Sequence, residues 1–454
     1  MTRGHKENGE IKMQKQEFGI VLPIVLLSYF MIVLDNSIIF TSTAKIAENL
    51  SLDTQSLAWI TNAYALTFGG FLLFSGKAGD IIGRKKFFQI GLVLFSVSSL
   101  LVGISVNAEM IIAMRAIQGI GSSILAPSTL ALLMDNYSDD MRTKAIAYYG
   151  TIGGLGASFG LIIGGMITTY SSWRIGFIIN VPIGLILLLL SYRYLKTSKV
   201  YNQKLDFIGT ILSILGISAL VYSINGTSYR QISLIVSIIS LILFVLYESR
   251  SDKPIMPLVL FKDKERSFAY LTRFFFVGAS ISYFFLTPLA LQSVYGFTPL
   301  QAAIGFLPET IPQFIAATLV ARMVNINVSK TISVGTILVF VGSLLAALVK
   351  IQSSYWIAIA IPMVIMGIGQ GLALGILTVA GVAHTTPKLS GSASGIVNTV
   401  HQIGGSVGLS AVVALTSQYK GPVTSYNMSM VWITVISAIA MICAIGIIQA
   451  DKKI

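Results

Sequence analysis

Three charged side chains lie deep in long apolar runs of this 454-residue chain: Asp35, Arg115 and Glu309. A charge at the centre of a membrane costs about 2.5–3.5 kcal/mol on insertion scales, so each needs a reason to be there. Asp35 is near the seventeenth residue of the run 19–40, about 7–8 Å from its outer end. It can be a satisfied structural carboxylate. It can equally be a group that gains and loses a proton, since desolvation and a nearby cation such as Arg115 pull its proton affinity in opposite directions. Arg115 sits at a similar depth and requires a carboxylate or polar partner, unless it snorkels to the interface. Glu309, between Pro308 and Pro312, can face a water-filled cavity and attract cations, or bond backbone groups that the prolines free. His401-Gln402, in the middle of a late run, offers an imidazole that titrates near neutrality when hydrated or stays inert when hydrogen-bonded. Asp135, at the end of a run, is placed to pair with Arg84 or to remain solvated.

The elements that hold these residues follow from composition. The chain is 54% hydrophobic and 11% charged, with mean hydropathy +0.81, whereas soluble proteins carry about 25% charged residues. It reads as a polytopic membrane protein. A crossing helix needs about 20 apolar residues. Fourteen runs qualify, near 19–40, 58–76, 87–106, 110–134, 143–169, 174–196, 206–224, 231–248, 267–292, 300–322, 330–350, 355–380, 390–416 and 428–449. They are long and continuous rather than alternating, which excludes a barrel. Of the 31 Lys and Arg residues, 24 fall in the two tails and the even-numbered loops and 5 in the odd-numbered loops. The formal charge of +13 therefore belongs to one membrane face and predicts cytoplasmic termini; nucleic acid is not its partner. One cysteine, Cys443, and three scattered histidines exclude disulfides and give no metal-ligand spacing. The first run reads as a retained span rather than a signal peptide. No loop is long enough for a catalytic domain, and the longest, 249–266, reads as a linker.

The densest pattern lies between the second and third runs: Gly76-Lys77-Ala78-Gly79-Asp80-Ile81-Ile82-Gly83-Arg84-Lys85-Lys86. Its glycines permit a tight turn and close helix approach. Asp80 can face a helix N-terminus, and the cations an anionic leaflet. In the fifth run, Gly156, Gly160 and Gly164 recur every four residues, with Gly165 beside them, and form a small-residue face for helix packing.

The 76–86 segment resembles the signature of the major facilitator superfamily. Arg115-Ala116-Ile117-Gln118-Gly119-Ile120-Gly121 is similar to the basic-residue motif of its drug–proton antiporters. Trp173-Arg174, Ile179-Asn180-Val181-Pro182-Ile183-Gly184, Leu291-Gln292, Gly296-Phe297-Thr298-Pro299-Leu300 and Gly391-Ser392-Ala393-Ser394-Gly395 resemble its fourteen-span branch. Leu161 stands where the antiporter motif of the fifth span has Pro, and the stretch from Arg322 to Lys330 has lost the signature pattern. The resemblance implies an all-α membrane protein with 14 transmembrane helices. Two six-helix halves, 19–196 and 267–449, would rock about a central cavity, with an extra helix pair in 197–266 and cytoplasmic tails 1–18 and 450–454. It implies proton-coupled export of amphipathic, often cationic drugs across a bacterial plasma membrane by a monomer. The proton gradient would supply the energy, with no cofactor. Asp35 and Arg115 would then couple protons, and Asn36, Gln118, Gln292, Glu309, His401 and Gln402 would contact substrate. Gly76, Gly79, Asp80, Gly83, Arg84, Lys85 and Asp135 would form a conformational switch. Export of a single metabolite, lipid precursor or siderophore on the same fold stays open. A membrane enzyme would need a converging nucleophile, base or metal set, which the sequence lacks.

Overall fold

A computed structural model describes residues 18–137, 139–196, 206–226, 228–251, 254–323, 327–386 and 389–451. The first bundle contains α1 (Val21–Leu50), α2 (Thr54–Ile82), α3 (Arg84–Gly103), α4 (Ala108–Asn136), α5 (Asp139–Tyr170), α6 (Trp173–Ile178) and α7 (Asn180–Tyr194). Helices α8 (Phe207–Asn225) and α9 (Arg230–Arg250) pack on each other. A 3-10 turn, Leu258–Phe261, then leads to the second bundle. This holds α10 (Lys264–Ser293), α11 (Pro299–Ile304), α12 (Leu307–Arg322), α13 (Val328–Val349), α14 (Ile361–Gly381), α15 (Ser390–Thr416) and α16 (Pro422–Asp451). A π turn, Trp356–Ala360, opens α14.

Local signals explain many of the helix starts. Asp53, Asn107, Asp263 and Asn327 each accept a backbone N–H three residues on, satisfying a donor that the helix leaves free. Thr298 and Gln301 form a reciprocal capping box, with Pro299 at the first helical position of α11. Among the described residues, thirteen helical segments are long and apolar enough to cross a membrane, α6–α7 and α11–α12 each counting as one broken crossing. The run expected at 143–169 falls on α5, a 32-residue helix whose described apolar part is Phe159–Tyr170. Isoleucines 232, 235, 239 and 242 of α9 are all more than half exposed, as a helix facing lipid requires. The chain is a multi-pass membrane protein.

Both chain ends lie at one end of the bundle, termed the tail end. Phe18 stacks edge-on against Tyr137 just past α4, and Gly446 of α16 abuts Phe268 near the start of α10. Two glycine crossings set the spacing of the long helices. Gly156, Gly160 and Gly164 of α5 face Val33, Ser37 and Ile38 of α1, as their four-residue period predicts. Gly165 turns instead toward Pro299 and Ala303 of α11. In the second bundle, Gly408 of α15 lies directly on the backbone of Gly278 in α10. A side chain at 408 would meet main chain that cannot yield, so Gly408→Leu is expected to lose about 1–3 kcal/mol or more. Thermal unfolding of the purified protein checks this. Gly391→Ala, where an added Cβ meets nothing within 4 Å, should leave the midpoint unchanged.

Candidate functional site

Asp35 is fully buried in α1 and faces only donors. Arg115 of α4 donates to its Oδ2 at 2.6 Å. Gln118, one turn on, donates to Oδ1 at 2.8 Å, and Asn180 donates to the same oxygen at 3.0 Å. The motif around Arg115 places each part. Arg115 and Gln118 share one face of α4, while Gly119 and Gly121 let α4 press on the backbones of α2 and α3. Asn180 arrives because the sixth crossing breaks at Ile179, between α6 and α7. The Arg115 guanidinium also covers the Tyr64 ring at 4.2 Å, and Tyr64 Oη accepts from Asn36 at 3.0 Å and donates to Ser122 at 2.7 Å. Because three donors converge on the carboxylate, protonating it requires at least one of them to turn away.

The second bundle holds different charges. Glu309 is fully buried near the start of α12. Gln370 of α14 donates to its Oε1 at 2.6 Å, and Oε2 has no partner. Arg273 of α10 donates to the Leu374 carbonyl at 3.2 Å, to Thr378 at 2.9 Å and to His401 Nδ1 at 3.2 Å.

A cavity of about 490 Å³ separates the bundles, within the 300–1,000 Å³ usual for drug-sized ligands. Asn36, His401 and Gln402 line it, as expected, and Tyr29, Phe40, Tyr64 and Phe284 supply aromatic wall. Three other expected contacts are corrected. Gln118 is fully buried behind the wall, engaged with Asp35. Glu309 stands behind Gln370, which takes its place in the lining. Gln292 lies nearer the end opposite the tails and donates to the Thr41 carbonyl of α1 at 3.2 Å, joining the bundles there. The Leu300 N–H bonds Thr169 Oγ1 at 2.9 Å at that same end. Helices α2 and α15 run together, through Asn62 to Ser410 at 2.7 Å and Thr399 to the Gly69 carbonyl at 3.1 Å. Among the described residues, no hydrogen bond joins α4 or α5 to α10 or α14 near the tail end.

The signature segment sits at the tail end, and its geometry differs from a glycine-built turn. Helix α2 continues through Gly76 and Gly79 to Ile82, so the turn is Gly83 alone, at φ +95°. A Cβ at Gly76 would meet nothing within 4 Å and one at Gly79 only an ordinary contact, so neither glycine serves a close approach here. Arg84 bridges Asp80 at 3.0 Å and Asp135 at 2.5 Å, tying α3 to α2 and α4. Lys85 donates to the Tyr192 and Leu195 carbonyls at the end of α7, at 2.9 and 2.6 Å, which supports a helix terminus rather than facing a leaflet. Lys77 donates to the Pro254 carbonyl at 2.8 Å and anchors the linker. If this clamp biases the resting state, Arg84→Gln should raise the labelling rate of a cysteine placed at Gly391 severalfold. Equal rates in the two backgrounds would leave Arg84 a local brace.

Two helical bundles around a drug-sized cavity, with a buried ion pair behind one wall, define a membrane transporter rather than an enzyme. The Major Facilitator Superfamily model matches residues 25–409, and the chain belongs to that family. It is 30% identical over 404 residues to the MFS-type transporter EfpA of Mycobacterium tuberculosis, covering 86% of this chain and 76% of that one. It is 30% identical over 425 residues to the methylenomycin A resistance protein of Bacillus subtilis, covering 89% of each. It is 28% identical over 419 residues to the puromycin resistance protein of Streptomyces alboniger, covering 89% and 82%. Among solved structures, a peptide transporter POT in complex with sulfate matches with TM-score 0.72 at 16% identity, over 96% of both chains. A bacterial homologue of the lysosomal transporter Spinster, inward-facing and unoccupied, matches with TM-score 0.67 at 14% identity, over 96% and 99%.

Proposed function

We propose that this protein is a proton-coupled exporter of amphipathic drugs, cationic ones among them, in a bacterial plasma membrane. In this reading it belongs to the fourteen-span branch, with α5 as a full crossing and both termini cytoplasmic. The halves 19–196 and 267–449 rock about the cavity, the extra pair in 197–266 rides outside them, and one chain suffices. The carrying observation is Asp35: a fully buried acid held by three donors, one helical position from the cavity-lining Asn36. Relatives named for puromycin and methylenomycin A resistance support drugs as the cargo. The hydrogen bonds at the end opposite the tails support an inward-facing resting state.

Asp35 does not open onto the cavity, so drug and proton meet through α1 rather than by direct contact. A drug pressing on Asn36 and Tyr64 shifts the Asp35 cluster, and protonation of Asp35 releases Arg115, Gln118 or Asn180 and changes the packing of α1, α4 and α7. Each charge moved through 100 mV supplies about 2.3 kcal/mol, which drives export without nucleotide or cofactor. The test is the purified chain in liposomes with a trapped pH-sensitive dye and an imposed gradient of puromycin or another amphipathic drug. Drug addition should move protons the opposite way. Drug movement without protons would make the chain a uniporter or couple it to another ion. No movement of any drug would favour export of a single metabolite.

A further inference from the structure

Arg273 differs from Arg115 in one respect that matters for cargo: no carboxylate neutralises it. It is 6% exposed, and among the described residues no acid lies within 4 Å of it. Glu309 is bonded to Gln370, one to two helical turns from the Leu374 and Thr378 positions that hold Arg273, or about 6–12 Å along α14. A buried guanidinium without a counter-charge is costly, and its Nε–H has no acceptor at all. The two residues that anchor its other edge, Leu374 through its carbonyl and His401 through Nδ1, both line the cavity.

Histidine sharpens the assignment. Arginine only donates, so Nδ1 of His401 must be the acceptor in this contact. The ring is then the neutral tautomer with its proton on Nε2, and that N–H meets no protein acceptor among the described residues. Two donors, Arg273 Nε–H and His401 Nε2–H, thus stand without acceptors at one wall of the cavity, beside a full positive charge.

We propose that Arg273 and His401 form an anion-recognition subsite that takes the carboxylate, or a sulfonate of like geometry, of an amphipathic cargo. The cargo then includes anionic and zwitterionic amphiphiles as well as cations. The apolar body of the ligand lies against Tyr29, Phe40 and Phe284, and its anion supplies the counter-charge that the protein withholds. The subsite deepens the export reading and rests on it for its biological meaning, but its binding chemistry can be tested alone.

The probes are rhodamine 110, which carries a free carboxylate, and rhodamine 123, its methyl ester. Fluorescence anisotropy with the purified full chain should give about tenfold tighter binding of the carboxylate, the range of a charge-assisted hydrogen bond. Arg273→Gln should bring the ratio to about one by weakening rhodamine 110, with rhodamine 123 affinity kept as proof of a folded cavity. Arg273→Lys should retain most of the preference, since it keeps the charge. Equal affinities in wild type, a preference that survives Arg273→Gln, or no binding of the carboxylate would each overturn the subsite. Whether the chain exports drugs is decided separately, by proton movement on drug addition in liposomes.

Discussion

In liposomes, Asp35→Asn is expected to bind drug and let it equilibrate down its gradient, while drug-driven proton movement falls to background. The reason lies in the donor geometry. Asparagine keeps the size and burial of the acid but carries no ionisable proton. Its amide nitrogen cannot accept from Arg115, Gln118 or Asn180, so at least one of the three contacts at 2.6–3.0 Å must be given up. That is the rearrangement protonation demands of the wild type, made permanent. The variant should therefore rest in the access state that protonated Asp35 favours, and a voltage or pH gradient should no longer concentrate drug. Asp35→Glu, one methylene longer in a site with no free volume, should recover proton movement only in part. If Asp35→Asn moves protons as the wild type does, the carboxylate is structural, and the coupling acid lies elsewhere, with Glu309 the next candidate.

How much of this was legible in the sequence differs between the two bundles. A lone acid and a lone arginine at matching depth in α1 and α4 announce each other by cost alone, and the structure pairs them. The Arg84–Asp135 contact was readable in the same way, since both residues flank the tail-end surface. Asn180, however, was read only as part of a motif. Its signal was a polar residue two positions before Pro182 in an otherwise apolar run, the mark of a broken crossing whose freed turn can deliver a side chain inward. Gln370 and Thr378 carried a weaker signal. They are polar positions on α14, a helix that is apolar on most faces, so hydropathy does not fix which way it is rotated. Without that rotation, Glu309 reads as a cavity residue, and the glutamine interposed before it goes unseen. Arg273 was counted as a charge within a span, but its partners come from two other helices and no pattern along α10 names them.

The signature segment shows the opposite failure. Its glycines read as turn formers because glycine is most informative where the backbone bends, yet only Gly83 takes a left-handed φ. Gly76 and Gly79 lie on a regular helix with room for a side chain. Their small size is without structural use in this arrangement of the bundles. An arrangement that closes the tail end is where such a surface would come into contact, which is consistent with a switch placed at that end.

The second large effect concerns stability. Arg115→Met should destabilise the protein by about 3–5 kcal/mol, because it leaves the Asp35 carboxylate buried beside only the two neutral donors Gln118 and Asn180. The loss exceeds what the ion pair itself is worth, since most of it is the cost of an uncompensated charge. Adding Asp35→Asn removes that charge and should recover most of the loss, so the double variant unfolds close to the wild type. The thermal midpoints of the four proteins form a double-mutant cycle whose coupling energy isolates the pair. The Tyr64 ring under the guanidinium, at 4.2 Å, loses its cation–π partner in both arginine variants and cancels in the comparison. Additive losses, with the double variant worse than either single one, would mean that Arg115 and Asp35 contribute independently. The pair would then be no switch, because a proton arriving at Asp35 could not be felt at α4.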